Sequence, residues 1–115
     1  MELKYIPKQG DICYIDFAPT KGHEQSGLRP AIVISRDEYN KFTNMVLLCP
    51  ITSNIRKFPT HYELRNVKKI KGSVLCEHIR SIDFNARKLS FIEKVNNTEL
   101  EEIIDLVMSI IEIQI

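Results

Sequence analysis

What most constrains this chain is its string of short apolar runs, each stopped by turn-forming residues, with a single helical repeat at the end. The runs are Asp11–Phe17, Pro30–Ser35, Met45–Ile51, Thr60–Leu64, Ser73–Ile79 and Leu89–Val95. Asp11–Phe17 and Thr60–Leu64 alternate apolar with polar residues, as half-buried strands do. Pro30–Ser35 and Met45–Ile51 are nearly continuous in apolar and β-branched residues, the pattern of strands buried on both faces. Arg36 to Thr43 is polar and predicts one helical turn. Residues 18–27, rich in turn formers and polar groups, read as a long loop, and residues 52–59 as a second. Loops of that length in a compact domain often carry function.

After the strands, Leu100, Ile103, Ile104, Val107, Ile110 and Ile111 recur at helical spacing. Thr98 and Glu101 stand as an S/T-x-x-E capping box ahead of them. Leu106, Met108 and Ile113 widen the apolar face. Either that face is covered by a second subunit, or the helix packs into its own barrel. Five or six strands and one terminal helix give a mostly β fold: a small SH3-like antiparallel barrel with a C-terminal helix. No repeat, linker or low-complexity segment interrupts it, so residues 1–115 read as one domain.

Composition narrows the classes of function. With 43% hydrophobic residues the chain is too apolar to be disordered. No stretch approaches the length of a membrane span, and the N-terminus lacks the apolar run of a signal peptide, so a cytoplasmic protein is expected. Three cysteines without a CxxC predict buried thiols, not a disulfide framework or a zinc knuckle. Three scattered histidines give no metal cluster, and no cofactor is expected. The net charge of +1 conceals an asymmetry: residues 98–115 hold five acids and no Lys or Arg, leaving 16 basic and ten acidic groups in the rest. A basic body with an acidic tail suits a polyanionic partner, and equally a solvated surface.

The loops and their flanking strands carry the sharper signal. Gly22-His23-Glu24-Gln25-Ser26-Gly27-Leu28-Arg29-Pro30 runs into AIVIS; Pro50-Ile51-Thr52-Ser53 follows, then Pro59-Thr60-His61, then Glu77-His78-Ile79-Arg80-Ser81-Ile82-Asp83. In order and spacing this series resembles the MazF/PemK family of toxins from toxin–antitoxin pairs, from about residue 9 to residue 112. The resemblance implies a barrel of the kind described, paired as a homodimer. It further implies ribosome-independent, sequence-specific cleavage of single-stranded RNA, held in check by an antitoxin. In the closest branch the arginine of the RP pair and the threonine of the P-[IV]-T segment are the catalytic pair, here Arg29 and Thr52. RNA contacts carried over are His23, Glu24 and Gln25 from the first loop, and Ser53, His61, Glu77 and His78 from the later segments. A second, Kid/PemK-like branch uses a first-loop histidine with a later arginine and aspartate. This chain keeps His23 but has Leu75 and Glu77 at the other two places, so that triad does not transfer.

These residue types suit the chemistry. RNA supplies its own nucleophile, the ribose 2′-OH, so no metal is required to generate one. Arg29 offers a permanently charged, planar fork to the phosphoryl oxygens. A guanidinium is a poor proton donor at neutral pH, which makes its role electrostatic. Thr52 adds a hydroxyl hydrogen bond, and His23 or Glu24 are candidates for moving protons. Phe17, Phe58 and Tyr62 are candidate stacking surfaces for splayed bases. Lys68, Lys69 and Lys71 read as a solvated hairpin or as contacts to backbone phosphates. An acidic antitoxin segment folding onto the basic body would compete with RNA. The competing reading is a CcdB-type poison, which shares this barrel and inhibits DNA gyrase by binding it. The GHEQSGLRP loop and the tryptophan-free EIQI terminus argue against that alternative.

Overall fold

A computed structural model describes residues 4–16, 28–54 and 57–115. The elements are β1 (Asp11–Asp16), β2 (Leu28–Val33), α1 (Asp37–Thr43), β3 (Met45–Thr52), β4 (His61–Glu63), β5 (Ser73–Leu75), β6 (Arg80–Asp83), β7 (Leu89–Lys94) and α2 (Asn97–Ile111). The strands form one seven-stranded sheet in the order β4-β5-β3-β2-β1-β7, with β6 also on β3. Every pairing is antiparallel. Among the described residues β4 and β7 do not pair, so the barrel-like sheet is not closed.

Strands β1 to β3 are buried on both faces, which is why their sequences are so continuously apolar. Ile12, Ile32, Cys49 and Ile51 face one cluster, together with Ile103 and Val107 of α2. Cys13, Ile15, Ala31, Val33, Val46 and Leu48 face the other. The register agrees: Ile12 pairs with Ile32 and Cys13 with Ala31, so partners across the ladder share a face. Burial pushes the Cys49 thiol up to about 12, with Cys76 and Glu77 adding to the effect. All three cysteines are buried and free, as apolar fillers.

Strand β3 is the hub. Its Met45–Leu48 half pairs with β6 and its Ile51–Thr52 end pairs with β5. Pro50, which has no N–H to give, lies where one neighbour hands over to the other. The run Ser73–Ile79, which reads as a single strand, is two structures. Strand β5 stops at Leu75, and a turn closed by His78 N–H donating to the Leu75 carbonyl (3.0 Å) leads into β6. Strand β6 has no apolar run of its own and owes its existence to β3.

The C-terminal helix forms where the periodicity predicts, but its cap differs. Asn96, not Thr98, is the N-cap, its side chain accepting from the Glu99 N–H at 2.8 Å. The inward acid is Glu99, not Glu101. Its carboxylate is buried and accepts the N–H groups of Arg65 and Asn66, each at 2.9 Å, and the Tyr62 hydroxyl. Three donors from β4 and the segment just after it thus end on one α2 side chain, a constraint that no local pattern announces. Ile103 and Val107 are buried, whereas Met108, Ile110 and Ile111 are exposed in the single chain. No described helix is long and apolar enough to cross a membrane.

Candidate functional site

The geometry of Arg29 and Thr52 follows from the register of β2 on β3. Ala31 pairs with Pro50. Arg29 lies two positions before Ala31 and Thr52 two positions after Pro50, so both stand at one end of the β2–β3 pair. Strand side chains alternate, so residues two apart share a face. Arg29 and Thr52 therefore share the face of Ala31 and Pro50. Arg29 and Pro50 line a groove of about 300 Å³ with Leu75, His78 and Arg80. Arg29 is exposed, and among the described residues no carboxylate pairs with its guanidinium.

Thr52 ends β3 opposite Ser73 of β5. Its Oγ1 accepts the Asn54 N–H at 3.1 Å, which leaves the hydroxyl proton for another acceptor. The chain can approach this closely only because residue 72 is glycine, with φ at +146°. Ser53 follows Thr52 and is exposed.

Strand β4 and the β5–β6 turn supply a second cluster. His61 pairs with Leu75 across the ladder, and so faces the groove side of the sheet. Its Nε2 lies 3.0 Å from Oε2 of Glu77, while the Thr60 hydroxyl donates to Oε1 at 2.7 Å. His78 brings its Nε2 to 3.5 Å from the same carboxylate. Partial burial opposes ionisation of Glu77. Hydrogen bonds from Thr60, from its own backbone N–H and from His61 outweigh that and hold the carboxyl below the ordinary glutamate value. At neutral pH Glu77 is therefore a carboxylate held by a hydroxyl and an imidazole. The Phe58 ring leans on the His61 ring, with centroids 5.2 Å apart and planes at 43°.

Of the residues expected from the sequence, Arg29, Thr52 and His61 share one face of the sheet by register, Glu77 is held against His61, His78 lines the groove, and Ser53 lies just beyond the end of β3. His23, Glu24, Gln25 and Phe17 lie outside the described residues. Tyr62 does not belong to this face. It packs against the cluster under α2, donates its hydroxyl to Glu102 and Glu99, and is covered by the Arg65 guanidinium, whose central carbon is 5.6 Å from the ring centroid. Lys68, Lys69 and Ile70 turn their backbone N–H groups onto Glu93, each at 2.9 Å, so the basic run is pinned from beneath. The residue that sequence reasoning missed is Arg80. It pairs with Leu48 and lines the groove beside Arg29. Its only signal was its place after Glu77-His78-Ile79, which gains meaning once β6 is seen on β3.

Two cations on an open groove, with a hydroxyl and a hydrogen-bonded His–Glu pair on the same face of the sheet, suit a substrate with an anionic backbone. Comparison with known proteins points the same way. Residues 8–111 match the family model described as PemK-like, MazF-like toxin of type II toxin–antitoxin system. The chain is 39% identical over 87 residues to the endoribonuclease toxin MazF of Escherichia coli strain K12, covering 76% of this chain and 78% of that protein. It is 37% identical over 106 residues to the endoribonuclease MazF of Staphylococcus saprophyticus, covering 86% and 88%. The fold resembles a MazE–MazF crystal structure from Deinococcus radiodurans with a TM-score of 0.86 at 32% identity, covering 94% of this chain and 97% of that one.

Proposed function

The chain belongs to the PemK-like, MazF-like toxin family of type II toxin–antitoxin systems, and we propose that it is a sequence-specific endoribonuclease that cuts single-stranded RNA independently of the ribosome. The observation that carries this reading is the β2–β3 register, which sets Arg29 and Thr52 on one face at one end of the strand pair, with Arg29 lining a groove there.

The reaction uses the substrate's own nucleophile. The ribose 2′-oxygen attacks the adjacent phosphorus and loses its proton. The P–O5′ bond breaks and the 5′-oxygen takes up a proton, leaving a 2′,3′-cyclic phosphate and a 5′-OH end. No atom in this balance has to come from a metal or a cofactor. Arg29 neutralises the charge that builds on the non-bridging oxygens, through two N–H donors held in a plane. Thr52 donates its hydroxyl to the same group. His23, Glu24, Gln25, Ser53, His61, Glu77 and His78 contact the RNA on either side.

The protein acts in the cytoplasm as a single-domain homodimer whose exposed α2 residues meet the second copy. A cognate antitoxin restrains it. Support for the antitoxin comes from relatives of this fold crystallised as MazE–MazF complexes. The test is cleavage of a long RNA by purified protein in EDTA, with the cut ends mapped. Cyclic phosphate ends that disappear in Arg29→Ala and Thr52→Ala are expected. Intact RNA alongside inhibition of DNA gyrase would overturn the reading.

A further inference from the structure

Single-stranded RNA is gripped by stacking its bases on exposed rings as well as by its phosphates. Three aromatic residues were candidates for that role, and the structure separates them. Phe17 is outside the described residues, and Tyr62 is committed to Glu99, Glu102 and Arg65 on the other side of the sheet. Phe58 is different. It is 57% exposed, yet its position is fixed from two directions. Its carbonyl accepts the His61 N–H at 3.0 Å, closing the turn Phe58–His61. Its ring rests against the His61 imidazole, which is itself held by Glu77. The Thr60 hydroxyl ties the same turn to the same carboxylate. His61 in turn stands opposite Leu75, which lines the groove beside Arg29.

An aromatic ring left largely in water and braced by a histidine whose ladder partner lines a cationic groove has the makings of a stacking platform. We propose that Phe58 is a specificity-determining binding residue that stacks one nucleobase of the RNA flanking the scissile phosphate. Besides their own contacts to the RNA, His61 and Glu77 set the angle of its ring. This rests on the RNase reading given above and adds to it a subsite for a base.

The sequence has no tryptophan, so Phe58→Trp introduces a sole indole reporter at the platform. Titration with a 2′-O-methyl copy of an RNA fragment that the protein cuts is expected to quench its fluorescence as a base stacks on the indole. In cleavage assays Phe58→Ala is expected to raise KM about 5- to 100-fold, the loss typical of one stacked base, with kcat within about twofold of the parent. Phe58→Leu should behave like Phe58→Ala, and Phe58→Tyr should restore parental KM. Adding His61→Ala to Phe58→Trp should reduce quenching even at saturating RNA, because the ring loses its brace. Unchanged KM in Phe58→Ala, or an unquenched indole at saturation, overturns the platform while leaving the RNase reading intact. A parent protein that neither cuts nor binds RNA overturns both. Equal urea midpoints for parent and variants exclude misfolding as the cause.

Discussion

Gly72 lies directly against the backbone of Thr52: a Cβ built on Gly72 would stand 2.2 Å from the Thr52 carbonyl oxygen. No side chain fits there, and the backbone at Gly72 is in the positive-φ region as well. The close approach lets β5 pair with the end of β3 and fixes where the Thr52 side chain emerges. Gly72→Ala is therefore expected to destabilise the protein by at least the 1–3 kcal/mol typical of a strained backbone. It should also reduce cleavage more than its loss of folded population explains. Urea unfolding and single-turnover cleavage at a temperature where the variant stays folded check both parts.

For Arg29 the prediction turns on geometry as much as charge. Removing one preorganised donor to a developing oxyanion typically costs about 100- to 1000-fold in rate, and Arg29→Ala should fall at least that far. Arg29→Lys keeps the charge but loses the planar fork, so it should recover only part of the rate. A lysine variant with parental kcat would show that charge alone suffices.

Thr52 offers a cleaner dissection. Thr52→Ser keeps the hydroxyl and should retain most of the activity. Thr52→Val keeps the shape and loses the donor, and should match Thr52→Ala. The comparison of interest is kcat at saturating RNA, with circular dichroism to confirm the fold.

Glu99 makes a stability prediction that separates it from Glu101. Glu99→Ala strands the Arg65 and Asn66 N–H groups, each unsatisfied donor costing about 1–3 kcal/mol when buried. A loss of roughly 3 kcal/mol in urea unfolding is expected. Glu101, exposed on α2, should change stability by less than about 0.5 kcal/mol when replaced by alanine. Asn96→Ala should cost about 1 kcal/mol, as N-cap losses do.

Acid sensitivity should trace in part to Glu93. Burial opposes its ionisation, but the N–H groups of Lys68, Lys69 and Ile70 outweigh that and hold its carboxyl below the ordinary value. A carboxyl lowered in the folded state contributes its stabilisation above the unfolded value of about 4.3 and loses it as pH falls through the folded value. The urea midpoint of the parent should therefore drop on going from neutral pH into that range. Glu93→Gln should start lower at neutral pH and fall less steeply. Parallel pH profiles would show that Glu93 is not part of the acid response.

Much of the architecture was legible in the chain because its physics is local. Apolar runs at strand spacing announced β1, β2, β3, β4 and β7, and the helical stripe announced α2. The specific series from Gly22 through Asp83 announced the family. Strand β6 was not legible, since Arg80–Asp83 has no periodicity of its own and is strand only because β3 offers free edge groups. The cap of α2 was misplaced for a related reason. Glu99 and Glu101 are equivalent in helix propensity, and only the approach of residues 62–66 determines which of them is buried.

By itself, then, the sequence determined most of the strands, the terminal helix and the family they belong to, and it named Arg29 and Thr52 as candidates. Only the tertiary structure decided that Arg29 and Thr52 share a face, that Arg80 lines a groove with Arg29, and that Phe58 stays exposed against His61 while Tyr62 is committed to α2. The division follows the reach of the forces involved. Periodicity and capping act over a few residues, whereas register, groove lining and ring exposure depend on contacts between residues far apart in the chain.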